Sequence, residues 1–420
     1  MISSRKYLLF FLGIVVLFLA AGLINVYSAT FYMNMENGDS PYYHLKKQMG
    51  AIGLGAFLGC FIAICPKQFA PRGFGKWCVP LAVVFLLVLV IFTGPVINGS
   101  RRWIVLAGFG SLQPSEFAKM AAVIWTASEL TAFLHRGEKV SFLGGILGGL
   151  GSFLSHHSWR AFKELWRRFQ PMAVPLLFAA LVMDQPDMGT AMMILLFPMA
   201  LYFISGMAWK EIGGTLAVCV IGAVYLAWIE PYRWERIKVA LHPFEHAQDM
   251  GYQAAQSMIA IGSGGFLGQG PGEGVAKYMY LPEQHTDFAF AVFSQEWGFI
   301  PSVIVIIGYG AILFLGFRLA AGIPRLYPSL LVYGLSMMIG VQGLFNITMV
   351  TGIIPVTGVP LPFISYGGSA VMMNLIAVGL ICRAVRAGEK AAEEDERKRR
   401  IEEMTKPVPL DLIAKSQFRP

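Results

Sequence analysis

The sequence predicts an all-α fold, a polytopic membrane protein with about ten transmembrane helices and a large extracellular loop between the seventh and the eighth. Three observations predict it. Of 420 residues, 56% are hydrophobic and 14% charged, against roughly 25% charged in soluble globular chains, and mean hydropathy is +0.59. Apolar runs near the ~20 residues needed to cross a hydrocarbon core recur along the chain. Between two of those runs lies a polar segment from Glu230 to Asp287, where a multispan protein ordinarily has a short connection.

The expected spans lie near 7–29, 47–65, 77–94, 114–134, 172–184, 190–207, 211–229, 288–315, 328–348 and 361–383. Arg5 and Lys6 ahead of Tyr7 to Ile24 look like a secretory leader, but the apolar run is too long and lacks a small-x-small cleavage site. It reads as an uncleaved first span. The fifth span is short, and Asp184-Gln-Pro-Asp187 separates it from the sixth, so a hairpin and a single broken helix both fit. The cytoplasmic connection 135–171 holds a Gly-rich apolar stretch, Phe142 to Leu154, too short to span. The basic aromatic segment Trp159 to Phe169 then fits an interfacial amphipathic helix. A transmembrane domain over 1–386 is followed by a charged tail, 387–420, with Glu389 to Glu403 as a solvated helix and a disordered end. Cys60, Cys65, Cys78, Cys219 and Cys382 fall in or beside apolar runs without disulfide or metal-site spacing, which makes them packing residues.

An even number of spans puts both termini on one side, and the basic residues say which. Arg5, Lys6, Lys67, Arg72, Lys76, Arg136, Lys139, Arg160, Lys163, Arg167, Arg168, Lys210, Arg318, Arg325, Arg383 and Arg386 all fall on the N-terminal side, which is therefore cytoplasmic. The net charge of +8 follows from this bias and from anionic headgroups, so it does not point to nucleic acid. Lys46, Lys47, Arg101, Arg102, Arg233, Arg236, Lys238 and Lys277 lie outside, against the bias.

Four segments carry residues fit for chemistry. In the first, Asn98-Gly-Ser-Arg101-Arg102-Trp103 precedes Gln113-Pro114-Ser115-Glu116 and Lys119. Pro and Ser at a helix start, with Glu in the first turn, make an N-terminus that favours an anion, and the two arginines strengthen it. A capped helix with Trp103 in an aromatic belt fits equally. Glu116 and Lys119 stand three apart inside a membrane helix, so they pair, and ionisable residues at that depth mark function. The second, Asp184 to Gly189, is either a polar turn capped by Asp or a catalytic carboxylate site. In the third, the polar segment, the glycines from Gly262 to Gly274 either admit a ligand to the backbone or form a flexible loop, and no Walker or dinucleotide pattern is present. It ends with Lys277, Glu283, His285 and Asp287. A carboxylate at a membrane surface is partly desolvated, which suits Asp287 to take a proton, and a structural salt bridge fits as well. The fourth runs from Asn346 through Gly352, Pro355 and Gly358 to Ser365-Tyr-Gly-Gly-Ser369; it suits unwound backbone facing a polar cavity or simple close packing.

Together, in this order, these blocks resemble the shape, elongation, division and sporulation (SEDS) family, whose members include FtsW, RodA and SpoVE. The run from Asn346 to Ser369 is similar to the family signature throughout, and RRWI at Arg101, QPSEFAK at Gln113, QPDMGT at Gln185, GYQ at Gly251 and LPEQHTDF at Leu281 match its other blocks. The resemblance covers residues 7 to 386 and implies a peptidoglycan glycosyltransferase. Such an enzyme polymerises lipid II on the outer face of the bacterial cytoplasmic membrane with a class B penicillin-binding protein as partner. Asp287 matches the family's essential carboxylate, which implies the general base. Arg101, Arg102, Lys119, Arg233 and Lys277 are the implied cations for pyrophosphate, and Trp103 packs on lipid or sugar. Glu116, Glu283, His285, Ser365 and Ser369 complete the implied substrate-binding set. No cofactor is required, and a divalent cation is compatible. The blocks lean towards the division or sporulation branch, with elongation-like wording in places. Gln295 stands where the family commonly has one of a pair of acidic residues, Met279 stands where a division-type member usually has an acidic residue, and the insertion 142–169 looks longer than usual. Two rivals are a lipid II flippase and a non-catalytic division scaffold, and Asp287 discriminates between them and the enzyme.

Overall fold

The structure, a computed structural model, describes residues 2–65, 75–96, 99–106, 110–156, 158–229, 231–249, 251–278 and 280–405. Lys67, Arg72, Asn98, Glu230, Met279, the side chain of Arg233 and the expected disordered end of the tail lie outside the described residues. The chain folds as α1 (Ile2–Glu36), α2 (Tyr43–Ile64), α3 (Gly75–Thr93), a hairpin of β1 (Ile104–Leu106) and β2 (Gly110–Leu112), α4 (Pro114–His135), α5 (Leu143–His156), α6 (Trp159–Asp184), α7 (Met188–Ile204) and α8 (Trp209–Ile229). It continues with α9 (Pro231–Leu241), α10 (Tyr252–Ser263), α11 (Ala289–Trp297), α12 (Phe299–Ala321), α13 (Leu326–Val350) and α14 (Gly368–Thr405).

Among the described residues, seven helices, α1–α4 and α12–α14, are long and apolar enough to cross a membrane. The other three expected spans fall on the second half of α6, on α7 and on α8. The chain is a polytopic helical membrane protein. Its outer helices turn large apolar side chains such as Leu9, Phe10, Phe57 and Phe85 away from the bundle, while α13 and α14 are the most enclosed spans. In lipid that arrangement costs nothing, because the surroundings are as apolar as the core.

Where a membrane helix loses a backbone donor, a neighbour must satisfy the freed carbonyl. Pro175 has no N–H to give the Pro171 carbonyl, and Thr126 of α4 donates to it at 3.0 Å. Trp125 donates to the carbonyl of Gln170 at 3.0 Å, fixing α4 against α6 at the same level.

Several sequence expectations need correction. The apolar run 288–315 is two helices, because Gly298 (φ 84°) takes a left-handed conformation that ends α11 and starts α12. The span expected from 361 begins at Gly368, since Pro360, Pro362 and a left-handed Phe363 keep the preceding residues out of a helix. The polar segment is not all loop and contains α9 and α10. The segment Trp159 to Phe169 is continuous with the fifth expected span as α6, and the tail helix is continuous with the last span as α14. Residues 184–187 form the turn of a helical hairpin, with α6 and α7 packed together. The β-hairpin, antiparallel with Ile104 opposite Leu112, was not expected from so short an apolar run.

Candidate active site

The four sequence blocks meet at one end of the bundle. Glu283 takes a left-handed conformation (φ 54°), and its carbonyl accepts hydrogen bonds from the N–H of Thr286 at 3.1 Å and of Phe288 at 3.2 Å. Thr286 also donates through Oγ1 to Glu283 Oε2 at 2.9 Å. This turn delivers Asp287 just ahead of α11. From α13, Asn346 Nδ2 donates to the Asp287 carbonyl at 2.8 Å and to the Val359 carbonyl at 2.7 Å. One side chain thus joins the two non-helical segments that form the site.

Gly358 (φ 72°) is the point of closest approach. A Cβ there would lie 3.4 Å from Asp287 Oδ2 and 3.9 Å from Arg102 Nη1, so carboxylate and guanidinium face the same residue, and its positive φ is what calls for glycine. Arg102 is aimed by the α6–α7 turn. It donates through Nη2 to the Pro186 carbonyl at 2.5 Å and through Nε to the Gln185 carbonyl at 3.4 Å, and its Nε lies 4.0 Å from Asp187 Oδ2. Asp187 is 2% exposed, and its Oδ1 caps α7 by accepting from the N–H of Thr190 at 3.1 Å.

The Asp287 pKa is pushed up to about 7, first by burial and then by the negative charges of Glu283 and Asp187, against the opposing pull of Arg102. The side chain keeps part of its surface open, yet protein surrounds it on most sides. A carboxylate poised near neutrality beside a guanidinium suits proton removal coupled to stabilisation of negative charge. Burial also holds the His285 imidazole below its ordinary pKa, with Glu283 opposing. Its Nδ1 is buried without a hydrogen-bond partner, its carbonyl accepts from Tyr366 N–H at 2.8 Å, and its ring lies 5.6 Å from those of His44 and Tyr366.

The remaining expected residues divide by position. Arg101 is exposed and donates to the Ile91 carbonyl at 3.2 Å, closing the end of α3. Trp103 is half-buried at the start of the hairpin. Glu116 and Lys119 pair at 2.7 Å, as expected, and are shut off beneath the site. Lys119 Nζ donates to Gln342 Oε1 at 2.7 Å, and Gln342 Nε2 donates to the Pro360 carbonyl at 3.0 Å, so the pair supports the segment that carries Gly358. Ser365 Oγ accepts from the Leu361 N–H at 2.9 Å, and Ser369 Oγ accepts from the Gln113 N–H at 3.0 Å, sewing α14 to the start of α4. Lys277 is buried against Glu296 at 3.5 Å and donates to the Gly272 carbonyl. Its ammonium faces the interior of the glycine-rich segment. Gln295, the departure from an acidic residue, accepts from the Ala276 N–H at 2.9 Å and donates to Ser263 Oγ at 2.9 Å, contacts for which an amide is suited.

Sequence reasoning missed the polar residues that hold the site from outside its blocks. Asn25 donates to the Ala289 carbonyl at 3.0 Å, Ser28 to Glu296 Oε1 at 2.5 Å, and Gln48 to the Ser365 carbonyl at 3.2 Å. Their signal was present, since buried polar side chains in apolar spans need partners. Arg236, which donates to the Val356 carbonyl at 3.1 Å, lines a narrow cleft with Gln253, Gly352 and Pro355 beside Gly358. Among the described residues, no group of three or more His, Cys, Asp or Glu side chains is placed to hold a metal ion.

Fold and site together define a polytopic helical membrane protein with an acidic and cationic cluster at one end of its bundle. The chain belongs to the FtsW/RodA/SpoVE family, whose model, described as cell cycle protein, matches residues 8–390. It is 36% identical over 377 residues to stage V sporulation protein E of Bacillus subtilis (strain 168), covering 89% of this chain and 95% of that one. It is 34% identical over 392 residues to the probable peptidoglycan glycosyltransferase FtsW of Trichlorobacter lovleyi, covering 92% and 95%. Among solved structures it matches a chain of a peptidoglycan synthase complex, studied for its structural coordination of polymerization and crosslinking, with a TM-score of 0.69, 26% identity and coverage of 90% and 97%. The rod shape determining protein RodA of Thermus thermophilus matches with a TM-score of 0.60, 26% identity and coverage of 90% and 96%.

Proposed function

We propose that the chain is a peptidoglycan glycosyltransferase that polymerises lipid II on the outer face of the cytoplasmic membrane. The observation that carries this reading is the meeting of Asp287 and Arg102 over Gly358, with Asp187 behind them. The names borne by the relatives and the likeness to a chain of a peptidoglycan synthase complex support the same chemistry. The bias of basic residues supports a topology with both termini in the cytoplasm and the site outside.

In this reaction the 4-hydroxyl oxygen of the acceptor GlcNAc attacks the anomeric carbon of the donor, and Asp287 takes the hydroxyl proton. The new O–C bond forms as the bond to pyrophosphate breaks on the opposite face, so the configuration inverts and undecaprenyl pyrophosphate leaves with the electron pair. Arg102 meets the negative charge that develops there. Pyrophosphate leaves readily once neutralised, so one carboxylate suffices where a glycosidase needs two. A class B penicillin-binding protein is the partner, a reading supported by the likeness to a complex that couples polymerization to crosslinking.

The test is polymerisation of lipid II by the full chain in liposomes, with and without a class B penicillin-binding protein. Glycan strands are expected from the native chain, and Asp287→Ala should lower the rate at least a hundredfold, the upper range for loss of a general base being about 10⁴-fold. Circular dichroism melting should show the variant folded. Strands formed at the native rate by Asp287→Ala would overturn the assignment and leave the transport and scaffold readings in its place.

A further inference from the structure

Both α4 and α7 begin at the candidate active site and end roughly 25–33 Å away, at the usual helical rise, beside a second cavity. That cavity encloses about 800 Å³ and is lined by Phe133, Val140, Lys139, Arg167, Arg168 and Glu211, among others. Its size is within the range of small-molecule sites. The longer-than-usual insertion forms one wall. Glu211 accepts from Ser141 Oγ at 2.9 Å and from the Phe142 N–H at 3.2 Å, which holds its carboxylate at the start of α5. Glu138 lies 3.5 Å from Arg167 and 4.0 Å from Arg136. Arg168 uses Nη2 on Glu164 at 2.8 Å, while its Nε–H is buried with no hydrogen-bond partner. Lys139 is exposed among the lining residues. The lining thus sets Lys139, Arg167 and Arg168 against Glu138 and Glu211, a small positive excess, with Lys139 exposed and a buried Arg168 donor in want of an acceptor.

The same insertion presents an apolar outer surface, with Leu147 and Leu154 of α5 and Trp159 and Trp166 of α6 exposed. Basic pockets next to amphipathic helices at the end of membrane spans suit phosphate headgroups whose acyl chains need an apolar bed. We propose that this cavity binds the phosphate of an anionic phospholipid, held by Lys139, Arg167 and Arg168, with its acyl chains laid on the exposed faces of α5 and α6. A free phosphate ester shares the headgroup chemistry but has no use for those apolar faces.

The experiment uses the purified full chain, delipidated in detergent, and fluorescent phosphatidylglycerol as the probe. Binding is expected to be displaced by unlabelled phosphatidylglycerol and not by phosphatidylcholine or glycerol 3-phosphate. Lys139→Glu, at an exposed position that should not disturb folding, is expected to weaken binding about fivefold or more, with a larger loss in Arg167→Glu/Arg168→Glu. The tail reversal Arg397→Glu/Arg399→Glu should leave binding unchanged. Native affinity in Lys139→Glu, an equal loss in the tail variant, or displacement by glycerol 3-phosphate would each overturn the proposal.

Discussion

Asp187 acts on Asp287 through space and on α7 through a hydrogen bond, and the two effects are separable. Asp187→Asn keeps an oxygen to cap the Thr190 N–H while removing the negative charge. Because that charge helps raise the Asp287 pKa, its removal lowers it. The acid limb of the pH–rate profile for polymerisation should move to lower pH, with the melting midpoint little changed. Arg102→Gln should move the same limb upwards, since Arg102 opposes the shift. A limb that stays in place in both variants would mean that another group titrates in catalysis.

At the scale of elements, the short buried helix α11 is fastened by the pair between Lys277 and Glu296. Glu296 is fully buried, and Ser28 of α1 also donates to it. Breaking one side of such a pair strands a charge, so Glu296→Gln is expected to destabilise the protein by about 3 kcal/mol or more. The double variant Lys277→Met/Glu296→Gln should recover much of that loss in a thermal melt, whereas a lysine acting mainly on substrate would give no such rescue. The sequence reading offered Lys277 as a cation for pyrophosphate because nothing in the local pattern says that it faces Glu296, 19 residues on. The break at Gly298 was marked in the sequence only by the polar pair Gln295-Glu296 and the glycine itself, which a window long enough to find a span averages away, while the positive φ of Gly298 is what divides the run into two helices.

For the whole molecule, hydropathy located the seven helices that are long and apolar enough to cross among the described residues, because lipid demands length and apolarity in a crossing helix, while two of their bounds needed the structure. Asp287, Arg102, Asp187 and Gly358 were all visible in the short polar or glycine- and proline-marked blocks between apolar runs. Their meeting was not, since it depends on Asn346, Gln342 and the turn at Glu283 bringing distant segments to one level. Burial of Asp287 also biases the stability of the entire fold. A carboxyl held near pKa 7, above its ordinary 3.8, contributes stability that is fully present below about pH 4 and is lost as pH rises through 7. Asp287→Asn should therefore melt at a higher temperature than the native chain at pH 8 and at nearly the same temperature at pH 4. A screen that rewards heat resistance alone would enrich uncharged side chains at this position, and the proposed role of Asp287 as base therefore sets the chemistry against the preference of the fold.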